Sequence, residues 1–118
     1  MKAERKLKVL FVCNLNVMRS PTAEMIFGKV PHLEVKSAGI YEDAVVPLSR
    51  ELAEWTDLIF VMEKKQGDFI RKKYGNALQS KRVVCLDIPD EYEFMSPPLI
   101  RSLVEKVTPY LDDDRIPR

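Results

Sequence analysis

Two cysteines, one histidine and four glycines in 118 residues leave little material for several common chemistries. With only Cys13 and Cys85 there is no disulfide framework and no Cys/His spacing of a zinc site, so no metal and no cofactor is expected. Long hydrophobic runs are missing as well. No stretch is long enough to span a bilayer, and the apolar run after the basic start Met1–Lys8 is too short for a signal peptide. Nor is there an excess of either charge: 19 basic and 18 acidic residues give a formal net charge of +1, which offers no argument for a nucleic-acid or membrane partner. A cytoplasmic protein, monomeric or weakly dimeric, is the default expectation. What is present, 46% hydrophobic and 31% charged residues, suits one soluble globular domain over residues 1–118.

The most informative stretch is Val9-Leu10-Phe11-Val12-Cys13-Asn14-Leu15-Asn16-Val17-Met18-Arg19-Ser20-Pro21. Residues 9–12 read as a strand covered on both faces, and Ser20-Pro21 as a helix start, with Ser as cap and Pro in the first turn. A loop curling from a strand end into a helix N-terminus points backbone N–H groups into one concavity, which suits a tetrahedral oxyanion. Arg19 would add a planar fork gripping two of the anion's oxygens. The same field favours a thiolate at Cys13, placed to attack phosphorus in a phosphate bound above it.

Along the rest of the chain, apolar runs alternate with helical patterns. Strands are expected at about 8–12, 33–37, 58–62 and 82–86, with the third nearly all apolar and so central. Helices are expected at about Pro21–Val30, with Ala23, Ile26, Phe27 and Val30 on one face, at Leu48–Trp55, at Glu63–Tyr74 closed by Gly75-Asn76, and after Ser96-Pro97-Pro98. The last helix is read with Ile100, Leu103, Val104 and Val107 as its buried stripe and Pro109 bending or stopping it. Met1–Lys6 reads as a loose charged terminus and Asp112-Asp113-Asp114 as the start of a solvated tail. The pattern predicts an α/β fold: a four-stranded parallel sheet of order 2-1-3-4 with helices on both faces and the anion loop after the first strand. Cys85, within Arg82-Val83-Val84-Cys85-Leu86, is expected to be a buried structural thiol, the alternative being a resolving cysteine near Cys13.

Cys13-x5-Arg19-Ser20-Pro21, with Val9 to Cys13 before it and Ala23-Glu24 behind it, resembles the low-molecular-weight protein tyrosine phosphatases. The resemblance implies that Cys13 attacks phosphorus while Arg19 and the amides of Asn14, Leu15, Asn16, Val17, Met18, Arg19 and Ser20 hold the phosphoryl oxygens. It implies that the Ser20 hydroxyl stabilises the thiolate, that Asn16 braces the loop, and that Ser37, in Ser37-Ala38-Gly39, holds Asn16. Ile88-Pro89-Asp90-Glu91-Tyr92 is similar to the family's Asp-Pro-Tyr segment, with Glu91 in place of Pro. Asp90 is therefore the expected general acid, Asp87 the second choice and Glu91 the third, with Tyr92 and Tyr41 as aromatic walls for the substrate. Between Ile40 and Pro47 the chain is shorter than typical members and lacks the family's bracing His; His32 is given no role. The implied activity is hydrolysis of phosphotyrosine, in a protein or a small aryl phosphate, through a phosphocysteine. A non-enzymatic phosphoanion-binding module remains open, and an arsenate reductase is less favoured because only one further cysteine is present.

Overall fold

A computed structural model describes residues 5–111. Four strands, β1 (Leu7–Cys13), β2 (Leu33–Gly39), β3 (Leu58–Val61) and β4 (Arg82–Cys85), form one parallel sheet of order β2-β1-β3-β4, the architecture expected from the sequence. Side chains of successive strand residues leave opposite faces, and that alternation sorts the core into two layers. Leu7, Val9, Phe11 and Cys13 of β1 join Leu58 and Phe60 of β3 beneath α1 (Arg19–Phe27) and α4 (Pro97–Leu111). Leu10 and Val12 join Ile59 and Val61 beneath α2 (Arg50–Trp55) and α3 (Lys64–Tyr74). Phe11 stacks between Phe27 and Phe60, with ring centroids 5.6 and 5.3 Å away. Cys13, the last residue of β1, thus points toward the α1 side.

Several helix details differ from the sequence reading. Helix α1 begins at Arg19, with Met18 at the cap position and no side-chain cap; the Ser20 hydroxyl is engaged by the loop instead. It ends at Phe27 rather than Val30, although Ile26 and Val30 still pack on the core. The buried stripe of α4 is Leu99, Leu103, Val107 and Leu111, with Val104 45% exposed, so the apolar face is rotated from the expected phase. Pro109 lies inside α4, which continues to Leu111. Helix α3 ends at Tyr74 with Gly75 as its C-cap, as expected, but Gly75 stays right-handed and the chain runs on into a 3-10 turn over Gly75–Leu78. Cys85 is exposed, because β4 is the outer strand and only Val84 of its four residues is fully buried.

One carboxylate ties together two strand starts. Arg5 and the backbone N–H of Lys8 both donate to Asp57 Oδ2 at 2.9 Å, joining the start of β1 to the start of β3. Residues 1–4 of the expected loose terminus and the acidic tail from Asp112 lie outside the described residues. No helix among the described residues is long and apolar enough to cross a membrane.

Candidate active site

The loop between β1 and α1 has its backbone polarity sorted. The carbonyls of Cys13, Asn14 and Leu15 accept hydrogen bonds from the N–H groups of Ile40, Tyr41 and Val45, at 3.1, 3.2 and 3.0 Å. The short segment between β2 and α2 therefore holds the outer rim of the loop. Gly39 makes this approach possible, since a Cβ there would lie 2.4 Å from the Asn14 carbonyl oxygen.

Inside the rim, Cys13 Sγ receives the backbone N–H of Asn16 at 3.3 Å and lies 3.0 Å from Ser20 Oγ. The direction of the network follows from donor arithmetic. The Glu24 carboxylate can only accept, so the Ser37 hydroxyl donates to it and in turn accepts from Asn16 Nδ2 at 2.9 Å. The second Asn16 Nδ2 hydrogen goes to Ser20 Oγ at 2.8 Å, which leaves the Ser20 hydrogen for Cys13 Sγ or, at 3.3 Å, the Ala38 carbonyl. The Asn16 N–H thus donates to sulfur, and the Ser20 hydroxyl lies within hydrogen-bond reach of it. Asn16 itself has φ 59°, a left-handed conformation that Asn tolerates better than most residues.

Arg19 is 1% exposed, and a guanidinium so buried needs compensation. Its Nη1 donates to Glu63 Oε2 at 2.5 Å and to the Ile88 carbonyl at 2.8 Å. With both Nη1 hydrogens committed, the Nε–Nη2 edge is the remaining donor face of the guanidinium. Asp90 Oδ1 lies 3.8 Å from Arg19 Nε. Cys13, Asn14, Leu15, Val17, Met18, Arg19 and Asp90 line one cavity of about 240 Å³.

The structure thus gathers Cys13, Arg19, Asp90 and the loop residues, with Asn16, Ser20 and Ser37 beneath. Tyr41 and Tyr92 are not among the cavity's lining residues: Tyr41 is exposed beside the loop, and Tyr92 packs partly against the α1–α4 core. Asp87 and Cys85 lie elsewhere, in a separate hollow with Lys106 and Tyr110, where Cys85 Sγ donates to Asp87 Oδ1 at 3.4 Å. Burial, with the Asp87 charge adding to it, raises the Cys85 thiol above its ordinary range. Cys85 pairs with Val61 and Val61 with Val12, so two strand spacings, roughly 9–10 Å, separate its backbone from β1. That exceeds the roughly 4–7 Å Cα separation of a disulfide.

Glu24 was quoted with the loop motif but given no role, and Glu63 and Gln66, which bond Arg19 and Asn14, were not singled out. Glu63 and Gln66 had a signal: Glu-x-x-Gln directly after an apolar strand is a capping-box pattern, and here each side chain caps the other's backbone. Among the described residues no group of three or more His, Cys, Asp or Glu is placed to hold a metal ion.

Sheet order β2-β1-β3-β4, with a Cys-x5-Arg loop leaving the first strand, is an α/β fold with solved structural counterparts. Vibrio vulnificus Wzb, solved with benzylphosphonate, is similar to this chain with a TM-score of 0.72 at 24% identity, over 89% of this chain and 97% of its own. The tyrosine phosphatase Wzb from Escherichia coli K30, solved with phosphate, gives 0.71 at 20%, over 87% and 94%. A YwlE arginine phosphatase from Geobacillus stearothermophilus gives 0.61 at 23%, over 88% and 94%. No protein-family model and no curated protein sequence matches the chain. At these identities the likeness is one of fold.

Proposed function

We propose that this chain is a cysteine-dependent phosphomonoesterase acting on phosphotyrosine or a similar aryl phosphate. One observation carries the reading: a sulfur that accepts the Asn16 N–H and lies 3.0 Å from the Ser20 hydroxyl shares a small cavity with a buried Arg and with the Asp90 carboxyl group paired to its Nε at 3.8 Å. Cys13 Sγ forms a bond to phosphorus as the P–O bond to the leaving group breaks, and Asp90 gives its proton to that oxygen. Asp90 then takes a proton from water, which attacks phosphorus, breaks the S–P bond and releases phosphate with the thiolate restored. The loop amides and Arg19 carry the charge of the transferring group, as a preorganised cradle does. Leu15, Val17 and Met18 give the cavity an apolar wall suited to an aryl group. Asp90 rather than Asp87 is the acid in this reading, because Asp90 lines the cavity and Asp87 faces Cys85. The strand spacing between Cys85 and β1 speaks against a thiol-relay reductase.

The test is hydrolysis of p-nitrophenyl phosphate across pH 4–8 in the presence of a chelator. Wild type should turn over, Cys13→Ser should not, and Asp90→Ala should lose roughly 10²–10⁴-fold together with the basic limb of the profile. A wild type that binds phosphate without hydrolysing it would overturn the enzyme and leave a binding module.

A further inference from the structure

The loop's backbone amides account for an anion cradle, but one side chain on the cavity wall, Asn14, has no part in that account. Its orientation is fixed from a distance by Gln66, which is fully buried. Gln66 Oε1 accepts the backbone N–H of Glu63 at 2.9 Å and that of Met62 at 2.8 Å, the latter shared with the Val12 carbonyl at 3.1 Å. Two N–H donors can be met only by an oxygen, so the Gln66 amide cannot be turned over, and its Nε2 is the face presented to Asn14. Nε2 lies 3.0 Å from Asn14 Oδ1, and a donor can be met only by an acceptor, so the Asn14 amide is fixed in turn. Its Nδ2 is directed away from Gln66. The only buried side-chain polar atom without a partner among the described residues is Ser96 Oγ, so Asn14 Nδ2, which bonds no other described group, is open to solvent. Asn14 is one of the residues that line the cavity with Cys13, Arg19 and Asp90.

We propose that Asn14 Nδ2 is a substrate-contacting donor of this site, with Gln66 as the positioning residue that holds it in that sense. The inference rests on the phosphatase reading and adds to it a side-chain N–H, fixed by two backbone amides at the start of α3, for an oxygen of the bound phosphate monoester. Without Gln66 the Asn14 amide would be free to offer its carbonyl oxygen instead, which repels an anion.

The experiment compares wild type, Asn14→Leu, Gln66→Glu and the double variant, each checked for an unchanged melting transition. The readouts are competitive inhibition by inorganic phosphate, and kcat and KM for p-nitrophenyl phosphate. Asn14→Leu keeps the width of the side chain and removes the donor. It should weaken phosphate or substrate about tenfold, the scale of one hydrogen bond to a charged acceptor. Loss with both ligands places the contact on the phosphoryl group; loss with the ester alone places it on the bridging oxygen. Gln66→Glu keeps an oxygen for Met62 and Glu63 but presents a second oxygen to Asn14, turning that amide over. Its effect should therefore be larger in the wild-type background than in Asn14→Leu, where only the added charge acts. Asn14→Leu within twofold of wild type on every readout would overturn the proposal, as would a Gln66→Glu effect equal in both backgrounds. A wild type that neither binds phosphate nor hydrolyses the ester would instead remove the phosphatase reading beneath it.

Discussion

Asn16 combines a backbone constraint with a side-chain one, and two substitutions separate them. Its φ of 59° is a conformation that costs a residue with a Cβ about 1–2 kcal/mol. Its Nδ2 makes the bonds to Ser20 and Ser37, at 2.8 and 2.9 Å, each contributing about 0.5–1.5 kcal/mol. Asn16→Ala loses both bonds and takes the full conformational cost, about 2–5 kcal/mol in all. Asn16→Gly loses the same bonds but adopts the left-handed region freely, and carries instead about 0.5–1 kcal/mol of extra chain entropy in the unfolded state. Glycine should therefore be the milder substitution by about 0.5–1 kcal/mol, the reverse of the usual order. Urea denaturation with unchanged m-values measures both. An alanine variant as stable as the glycine variant would refute the backbone part of the reasoning, and a loss below about 0.5 kcal/mol in both would refute the bonding part.

Gly39→Ala places a Cβ 2.4 Å from the Asn14 carbonyl and 2.7 Å from Ala44 Cβ, neither of which can swing aside, so a loss of about 1–3 kcal/mol is expected by denaturation. Gly75→Ala, where an added Cβ meets nothing within 4 Å, should be neutral or slightly stabilising in the same assay. Burial raises the Asp57 carboxyl pKa, but the Arg5 hydrogen bond, the Lys8 N–H and the two charges outweigh it, and the net direction is down. The folded state thus binds the Asp57 proton less readily than the unfolded chain. The stabilisation is complete above the unfolded carboxyl range, near pH 4, and is lost as pH falls through the lower folded value. Melting temperatures taken from pH 7 to 2 should fall less steeply for Arg5→Ala than for wild type, and parallel slopes would contradict this.

The sheet was legible because its two inner strands, β1 and β3, are nearly unbroken apolar runs, and because Cys13 and Arg19 lie within one local loop. Cys85 was misread because an apolar run looks the same in an inner and an outer strand; its exposure depends on strand order, not on its own neighbours. The phase of α4 slipped because Ile100 and Val104 continue the apolar pattern beside the true seam. At the site, the residues nearest Cys13 were readable, whereas the groups that hold them come from far along the chain. Glu63 reaches Arg19 across 44 positions and Gln66 reaches Asn14 across 52, and nothing local to the loop announces either partner.

The segment between β2 and α2 has a consequence for how this protein can be altered. Its backbone anchors to the anion loop fall at Ile40, Tyr41 and Val45, and Pro47 bridges back to Gly39. Glu42 and Asp43, at the exposed tip, carry none of them. Residues inserted between these two would displace the single Ala44-to-Tyr41 hydrogen bond and leave every strut under the loop in place. Each doubling of such a flexible insert costs only about 0.6 kcal/mol in loop closure. The tip is thus an attachment point beside the loop after β1, where a peptide can be spliced in while the loop keeps its shape.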